Sequence, residues 1–96
     1  MAKEDKPAQP PTLEINTGDE MSRGRYSNNV IIVHSPEEFI VDWLLSSHSG
    51  SHLVARTIVS PGHFKRLISA MQENLANYES KFGPVKALEA TDPVFH

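Results

Sequence analysis

The sequence predicts an α+β fold, in which an antiparallel four-stranded meander is followed by one long amphipathic C-terminal helix packed on the sheet. Two observations predict it. Up to residue 59, short runs of β-branched and aromatic residues alternate with short polar segments, as in strands joined by turns. Beyond residue 60, large apolar residues recur at alternating spacings of four and three, which places them on one face of an α-helix.

The strands are predicted from their local composition. Residues 13–16 alternate between apolar and polar side chains and indicate a short edge strand. Residues 30–33 are Val-Ile-Ile-Val, apolar on both alternations, and indicate a central or doubly covered strand. Residues 53–59 form the last strand. Every connection is short, and we therefore expect antiparallel pairing, since parallel pairs need long crossovers.

Residues 39–45 allow two interpretations. Strand alternation puts Phe39, Val41 and Trp43 on one face, whereas the preceding Ser-Pro-Glu-Glu of residues 35–38 matches the N-terminal capping box of a helix. The run is short and rich in aromatic and β-branched residues, so a strand is favoured. The polar residues 46–52 are predicted to form the next loop.

A single helix is predicted over residues 61–82. Ser60 suits the N-cap and Pro61 the first helical position, while Gly83 suits the position after the last turn. Its apolar stripe consists of Phe64, Ile68, Met71, Leu75, Tyr78 and Phe82. We expect this stripe to pack on the chain's own sheet, because three heptads barely suffice for an intermolecular coiled coil.

The chain is expected to hold one domain. Residues 1–12 contain three prolines and no apolar periodicity, which predicts a disordered N-terminal tail. Residues 13–84 form the single α+β domain, and residues 85–96 form a C-terminal extension that could be flexible.

A core of this size needs additional buried surface. No cysteine is present, which excludes disulfides and thiolate metal sites. A four-stranded meander also leaves two open edges. We therefore expect a homo-oligomer, a dimer or higher. Its candidate interface residues, which are also candidates for the core, are Phe39, Val41, Trp43, Phe64, Ile68, Met71, Leu75 and Tyr78. For Trp43, packing under the helix is the favoured interpretation over an interface anchor.

Charge and hydropathy exclude several classes of partner. The net charge is −3 with interspersed signs, unlike the basic footprint of a nucleic-acid-binding protein. No apolar run reaches the length of a membrane span, and the N-terminal segment lacks the apolar stretch of a signal peptide. We expect a cytoplasmic protein that binds neither nucleic acid nor membrane.

No residue pattern indicates catalysis or a cofactor. His48, His52 and His63 are the first candidates for zinc ligands, but the loop that holds His48 and His52 contains no carboxylate that could support them, and exposed histidines are the favoured interpretation. No serine lies in a nucleophile elbow, and the adjacent Glu37 and Glu38 most simply face water. We expect no enzyme activity and no cofactor.

An ordered series of short motifs suggests a family. The series comprises Tyr26-Ser27-Asn28, then His34-Ser35-Pro36 with Glu38-Phe39 and Asp42-Trp43, then Arg56, and then Ser60-Pro61-Gly62-His63-Phe64-Lys65-Arg66-Leu67 with Asn74 and Tyr78-Glu79. It resembles an uncharacterised bacterial family, domain of unknown function 3467, over residues 13–82. The resemblance implies a small cytosolic chain and favours an extended segment at Asp42-Trp43. It implies no activity and no site residues.

The expected function is that of a small non-catalytic oligomeric binding or scaffolding module. One alternative is a chaperone-like binder of extended polypeptide, and a less favoured one is a histidine-based metal protein around His48, His52 and His63. A meander followed by a long helix is similar in element order to the protomer of the SecB export chaperone, although the sequences share no motif, and fold-level analogy does not establish function.

Overall fold

The computed structural model describes residues 12–88, which contain a three-stranded sheet and two helices. In chain order the elements are α1 (Asp19–Arg23), β1 (Asn29–His34), β2 (Phe39–Ser47), β3 (Gly50–Val59) and α2 (Pro61–Phe82). The sheet has the order β1-β2-β3 and both pairs are antiparallel. The predicted α+β class with a C-terminal helix is therefore confirmed. The predicted tail and C-terminal extension lie mostly outside the described residues.

The predicted fourth strand at residues 13–16 is not found. Leu13 and Ile15 are 79% and 74% exposed, and the segment leads into the short helix α1, which the sequence analysis missed. A strand of four residues adds few ladder hydrogen bonds, too few to offset the entropy of ordering its backbone. The α1 turn closes through a hydrogen bond from Ser22 N–H to Gly18 C=O (3.0 Å), a local signal with no apolar periodicity behind it.

The strand interpretation of residues 39–45 is confirmed, because they lie in β2. The prediction that residues 30–33 form a central or doubly covered strand is wrong, because β2 is the central strand and β1 pairs on one side only, with its apolar side chains partly exposed. Its first residue, Phe39, pairs with His34 across a tight connection. In that connection Ser35 N–H donates to Glu38 C=O (2.9 Å), and Glu37 N–H donates to Ser35 Oγ (3.2 Å). The Ser-Pro-Glu-Glu segment is thus a hairpin turn, and its serine caps the turn instead of a helix.

The predicted loop over residues 46–52 is mostly strand. Ser46 pairs with Ser51, and only the two residues between Ser47 and Gly50 form the turn. Gly50 has a φ of 124°, a conformation that glycine adopts without strain. Side chains keep these polar strand ends paired: the hydroxyls of Ser46 and Ser51 are 2.7 Å apart, and Asn28 Oδ1 accepts from Ser46 N–H (2.8 Å). These strand ends are therefore held together by hydrogen bonds. They lack the alternation of apolar and polar residues from which a strand is predicted.

The apolar core is small. Among the described residues only Val41 and Leu44, 3% and 9% exposed, are buried hydrophobic residues. Both belong to β2, and their positions along this central strand place them on opposite faces of the sheet. Among the described residues, neither helix makes extensive contact with the sheet, so the sheet lacks the second layer that a two-layer domain requires.

Helix α2 has the predicted bounds. Ser60 Oγ accepts from His63 N–H (3.2 Å), as an N-cap does, and Pro61 occupies the first helical position. At the other end Gly83 has a φ of 95°, and its N–H donates to Glu79 C=O (2.8 Å). Local capping chemistry alone therefore determines both ends.

The expectation that α2 packs on the sheet is wrong. Beyond its first turn the helix makes no extensive contact with any strand. The reason is the connection: β3 ends at Val59 and α2 begins at Pro61, so a single extended residue, Ser60, joins them. A helix that folds back across a sheet face needs a connection of several residues. With one residue, the chain leaves the sheet and does not reverse.

Candidate interaction surface

An aromatic stack joins α2 to the sheet. The rings of Phe39 and Phe64 lie parallel, with centroids 4.1 Å apart and 3° between their planes, and His34 packs against Phe39 at 5.4 Å. Phe39 and His34 come from the paired ends of β2 and β1, whereas Phe64 lies in the first turn of α2. This stack orients the helix relative to the sheet, and the helix beyond it extends for several turns.

The apolar face of α2 is uncovered. We call its exposed part the helix stripe, which consists of Ile68 (42% exposed), Met71 (49%), Leu75 (48%), Tyr78 (52%) and Phe82 (71%). Large apolar side chains at core-facing spacing on a helix are normally buried. Taking about 200 Å² for a large apolar side chain, roughly 500 Å² of the stripe contacts solvent in one chain. Patches of this size on monomers are commonly interaction sites.

The end of the helix is ordered by its own contacts. Tyr78 and Phe82 pack with ring centroids 4.8 Å apart, and Glu79 Oε2 accepts from the backbone N–H of Val85 (2.8 Å), just beyond the helix. These contacts stabilise the last turn of α2 and hold its aromatic pair in place.

The sheet also exposes apolar side chains. On the edge strand β1 these are Val30 (38% exposed), Ile32 (42%) and Val33 (48%), and on the other edge strand, β3, Leu53 and Ile58 are 53% and 57% exposed. The outer edge of β1 carries no charged Lys, Arg, Asp or Glu, the residues that usually prevent pairing with another strand. Helix and sheet thus offer separate surfaces for a partner.

The predicted interface residues occupy different environments. Val41 is buried in the sheet, and Phe39 and Phe64 contact each other within the chain. Trp43 is half-buried and lines a groove of about 520 Å³, which also includes Met21 of α1 and other side chains of the sheet. The other four, all in the helix stripe, are exposed. The structure thus distinguishes, among the predicted interface residues, those in contact within the chain from those that are exposed, which the sequence pattern could not do.

An ion pair crosses the two long strands. Arg56 Nε and Nη2 donate to the two carboxylate oxygens of Asp42 at 2.6 and 2.9 Å, and the two residues are directly opposite in the ladder. The hydrogen bonds from Arg56 lower the pKa of Asp42 below its ordinary value, and the same contacts raise the pKa of Arg56. This bidentate ion pair stabilises the observed pairing register of β2 and β3.

This ion pair predicts a pH dependence of stability. Because the pKa of Asp42 is lower in the folded chain, its contribution is present above its unfolded value of about 3.9 and is lost as the pH falls through the folded value. In urea titrations between about pH 6 and 2, we expect the Asp42→Asn variant to lose less stability on acidification than the native chain. Arg56→Gln should show the same reduced dependence. Native-like acid dependence in both variants would contradict a stabilising role for the pair.

The histidines do not converge. His48 lies in the turn between β2 and β3, His52 pairs with Leu45 in β3, and His63 lies in the first turn of α2. Within residues 12–88, no three His, Cys, Asp or Glu side chains form a cluster that could hold a metal ion. No helix in this described range is long and apolar enough to cross a membrane.

Comparison with known proteins gives one result. A family profile matches residues 1–87, and its description is "Protein of unknown function (DUF3467)". The chain belongs to this family. The match covers every strand and helix of the DUF3467 chain and agrees with the resemblance inferred from its motifs. Neither the search of curated proteins nor the search of solved structures finds a significant match.

Two parts of this surface escaped the sequence analysis of the DUF3467 chain. The groove beside Trp43 requires α1, a helix of five residues without a periodic signal. The exposure of the helix stripe requires the short link at Ser60. That link was visible as an N-cap directly after a strand, and it could have indicated that the helix has no room to fold back.

Proposed function

We propose that this DUF3467 protein is a non-catalytic binding or scaffolding module that assembles as a homo-oligomer through α2. The observation that carries the proposal is the exposed helix stripe on a helix that contacts its own sheet only near its first turn. An isolated helix of about this length is marginally stable in water, and packing of its apolar face supplies most of the stability of protein helices. A covered stripe is therefore a condition for a stable α2.

The buried area fits a stable dimer. Two stripes of roughly 500 Å² bury about 1,000 Å² of apolar surface, before flanking side chains are counted, and specific interfaces bury about 1,200–2,000 Å² in total. The small core also requires further burial of apolar surface, because Val41 and Leu44 alone cannot stabilise a domain of this size. Assembly supplies the missing burial.

Sedimentation at several chain concentrations tests this proposal. We expect a dimer or larger species at micromolar concentration, with helical circular dichroism that decreases when the complex dissociates on dilution. A monomer that keeps its full helical signal at sub-micromolar concentration would overturn the proposal, because its stripe would then need no cover.

A second candidate is a chaperone-like binder of extended polypeptide, favoured by the exposed apolar side chains of β1 and its uncharged outer edge. An extended segment could add to such an edge through main-chain hydrogen bonds. The same sedimentation runs test it when a fluorescently labelled, unfolded client is added. Saturable co-sedimentation of the client would support this function, and separate migration of several such clients would count against it.

We also propose that the protein works in the cytoplasm. A chain without cysteine gains nothing from an oxidising compartment during folding. Fractionation of cells that express the untagged full chain tests this location, and recovery outside the cytoplasmic fraction would contradict it.

A further inference from the structure

We infer that two α2 helices pair antiparallel, with Met71 of each chain opposite Leu75 of the partner subunit and Lys65 of each chain beside Glu79 of the partner subunit. The inference rests on the proposed homo-oligomer and specifies its partner, a second copy of this chain, together with the direction and register of the contact. The order of residues along the stripe and the charges that flank it support this arrangement.

The stripe itself selects the register. In an antiparallel pair centred on residue 73, Met71 lies opposite Leu75, Ile68 opposite Tyr78, and Phe64 opposite Phe82. Every residue of the helix stripe then meets an apolar partner. A shift by one heptad in either direction leaves an aromatic end of the stripe uncovered. A parallel pair would instead place two Tyr78 side chains and two Phe82 side chains against themselves in adjacent layers, where bulky side chains crowd each other.

The flanking charges select the direction. Lys65, Gln72 and Glu79 recur every seven residues and form one flank of the stripe. In the antiparallel register Lys65 lies beside Glu79 of the partner subunit at both ends, and Gln72 meets its own copy at the two-fold axis. The other flank of the stripe is formed by Leu67, Asn74 and Lys81. In a parallel pair the first flank of one helix faces this other flank of the partner helix. Neither Lys65 nor Glu79 then meets an opposite charge within the helix.

The position of each group permits this pairing. Lys65 is an exposed residue of the first turn, and Glu79 uses Oε2 to hold Val85 N–H, so that its second oxygen can accept from an ammonium group. The antiparallel arrangement also brings the end of one α2, with Phe82 at 71% exposure, to the aromatic stack of the other chain. Each helix would therefore cover part of the sheet that its own chain leaves open.

Site-directed cross-linking tests the direction. The chain has no cysteine, so single variants Lys65→Cys, Gln72→Cys and Glu79→Cys each carry one thiol. Fourteen residues separate positions 65 and 79, which is about 21 Å along a helix. With a short bis-maleimide, we expect Gln72→Cys to cross-link to itself. We expect Lys65→Cys and Glu79→Cys to cross-link when mixed but not separately.

The outcomes separate this inference from the proposed function. Sedimentation of each variant first shows whether it assembles. A dimer that fails to cross-link in the mixture of Lys65→Cys and Glu79→Cys overturns the antiparallel register and leaves the homo-oligomer intact, whereas a folded monomer overturns both. Charge reversal gives a second readout. Lys65→Glu should weaken the dimer by up to about tenfold. Glu79→Lys also loses the acceptor for Val85 N–H, so the double variant Lys65→Glu, Glu79→Lys is compared with Glu79→Lys alone and should bind more tightly than it. A double variant that binds no more tightly than Glu79→Lys would contradict the charge pairing.

Discussion

Replacement of Leu75 by glutamate is expected to dissociate the protein into monomers. Leu75 is at the middle of the helix stripe and 48% exposed in one chain, so that both copies lie near the centre of the antiparallel contact, each opposite Met71 of the partner subunit. Complete burial of a leucine contributes about 1.5–3 kcal/mol, and dimerisation gains about half of this at each of the two Leu75 residues because each is already about half-buried in its own chain. We therefore expect the dissociation constant to rise about tenfold to a hundredfold, before the cost of desolvating the carboxylates is added.

The matched control is Asn77→Glu. Position 77 lies two residues further along the same helix, on the face opposite the stripe, and the substitution adds the same charge. Sedimentation of both variants at the same concentrations should show Leu75→Glu as a monomer with reduced helicity and Asn77→Glu with the native mass. If Leu75→Glu keeps the native mass, the stripe is not the interface.

Removal of the ring of Phe64 is expected to release α2 from the sheet. The Phe39–Phe64 stack is the principal contact between the two parts of the chain, with ring centroids 4.1 Å apart. A fully buried phenylalanine replaced by alanine costs about 3–5 kcal/mol, and Phe64 is only half-buried, so we expect Phe64→Ala to lower the free energy of unfolding by about 2 kcal/mol. Urea titration at one fixed chain concentration measures this loss.

The control for the stack is His63→Ala, an exposed position of the same helical turn whose backbone N–H still donates to Ser60 Oγ. It should unfold at the native urea concentration. Amide hydrogen exchange provides a local readout, because Phe64→Ala should increase exchange in the first turns of α2 more than in the centre of β2. An unchanged unfolding midpoint for Phe64→Ala would show that the stack does not hold the helix.

Most local structure could be predicted from the sequence because its causes are local. Ser60, Pro61 and Gly83 determine the ends of α2 through capping and backbone conformation, which involve residues within one turn. Residues 39–45 could be assigned to a strand because β-branched and aromatic residues dominate them, but their central place in the sheet could not be predicted, since it depends on which strands pair with them. Where polar side chains replace this pattern, as at Ser46 and Ser51, the hydrogen bonds that extend the hairpin join residues whose pairing is known only after folding.

The candidate surface shows most clearly which features the sequence predicts and which depend on the tertiary structure. The apolar stripe of α2 was predictable residue by residue, because helical periodicity is a property of spacing alone. Its surroundings were not, since a core residue and an interface residue have the same apolar character. Val41 and Leu75 both belong to apolar patterns, yet Val41 is 3% exposed and Leu75 is 48% exposed.

The sequence by itself determined the α+β class, the presence of the three strands that form the sheet, and the helix with its apolar stripe. Only the tertiary structure decided that the stripe lies outside the chain's own core. The physical reason is that the direction of α2 depends on a one-residue link at Ser60 and on contact between Phe39 and Phe64, which are 25 positions apart in the sequence. A periodic pattern shows which side of a helix must be covered, whereas the path of the folded chain decides which surfaces are near enough to cover it.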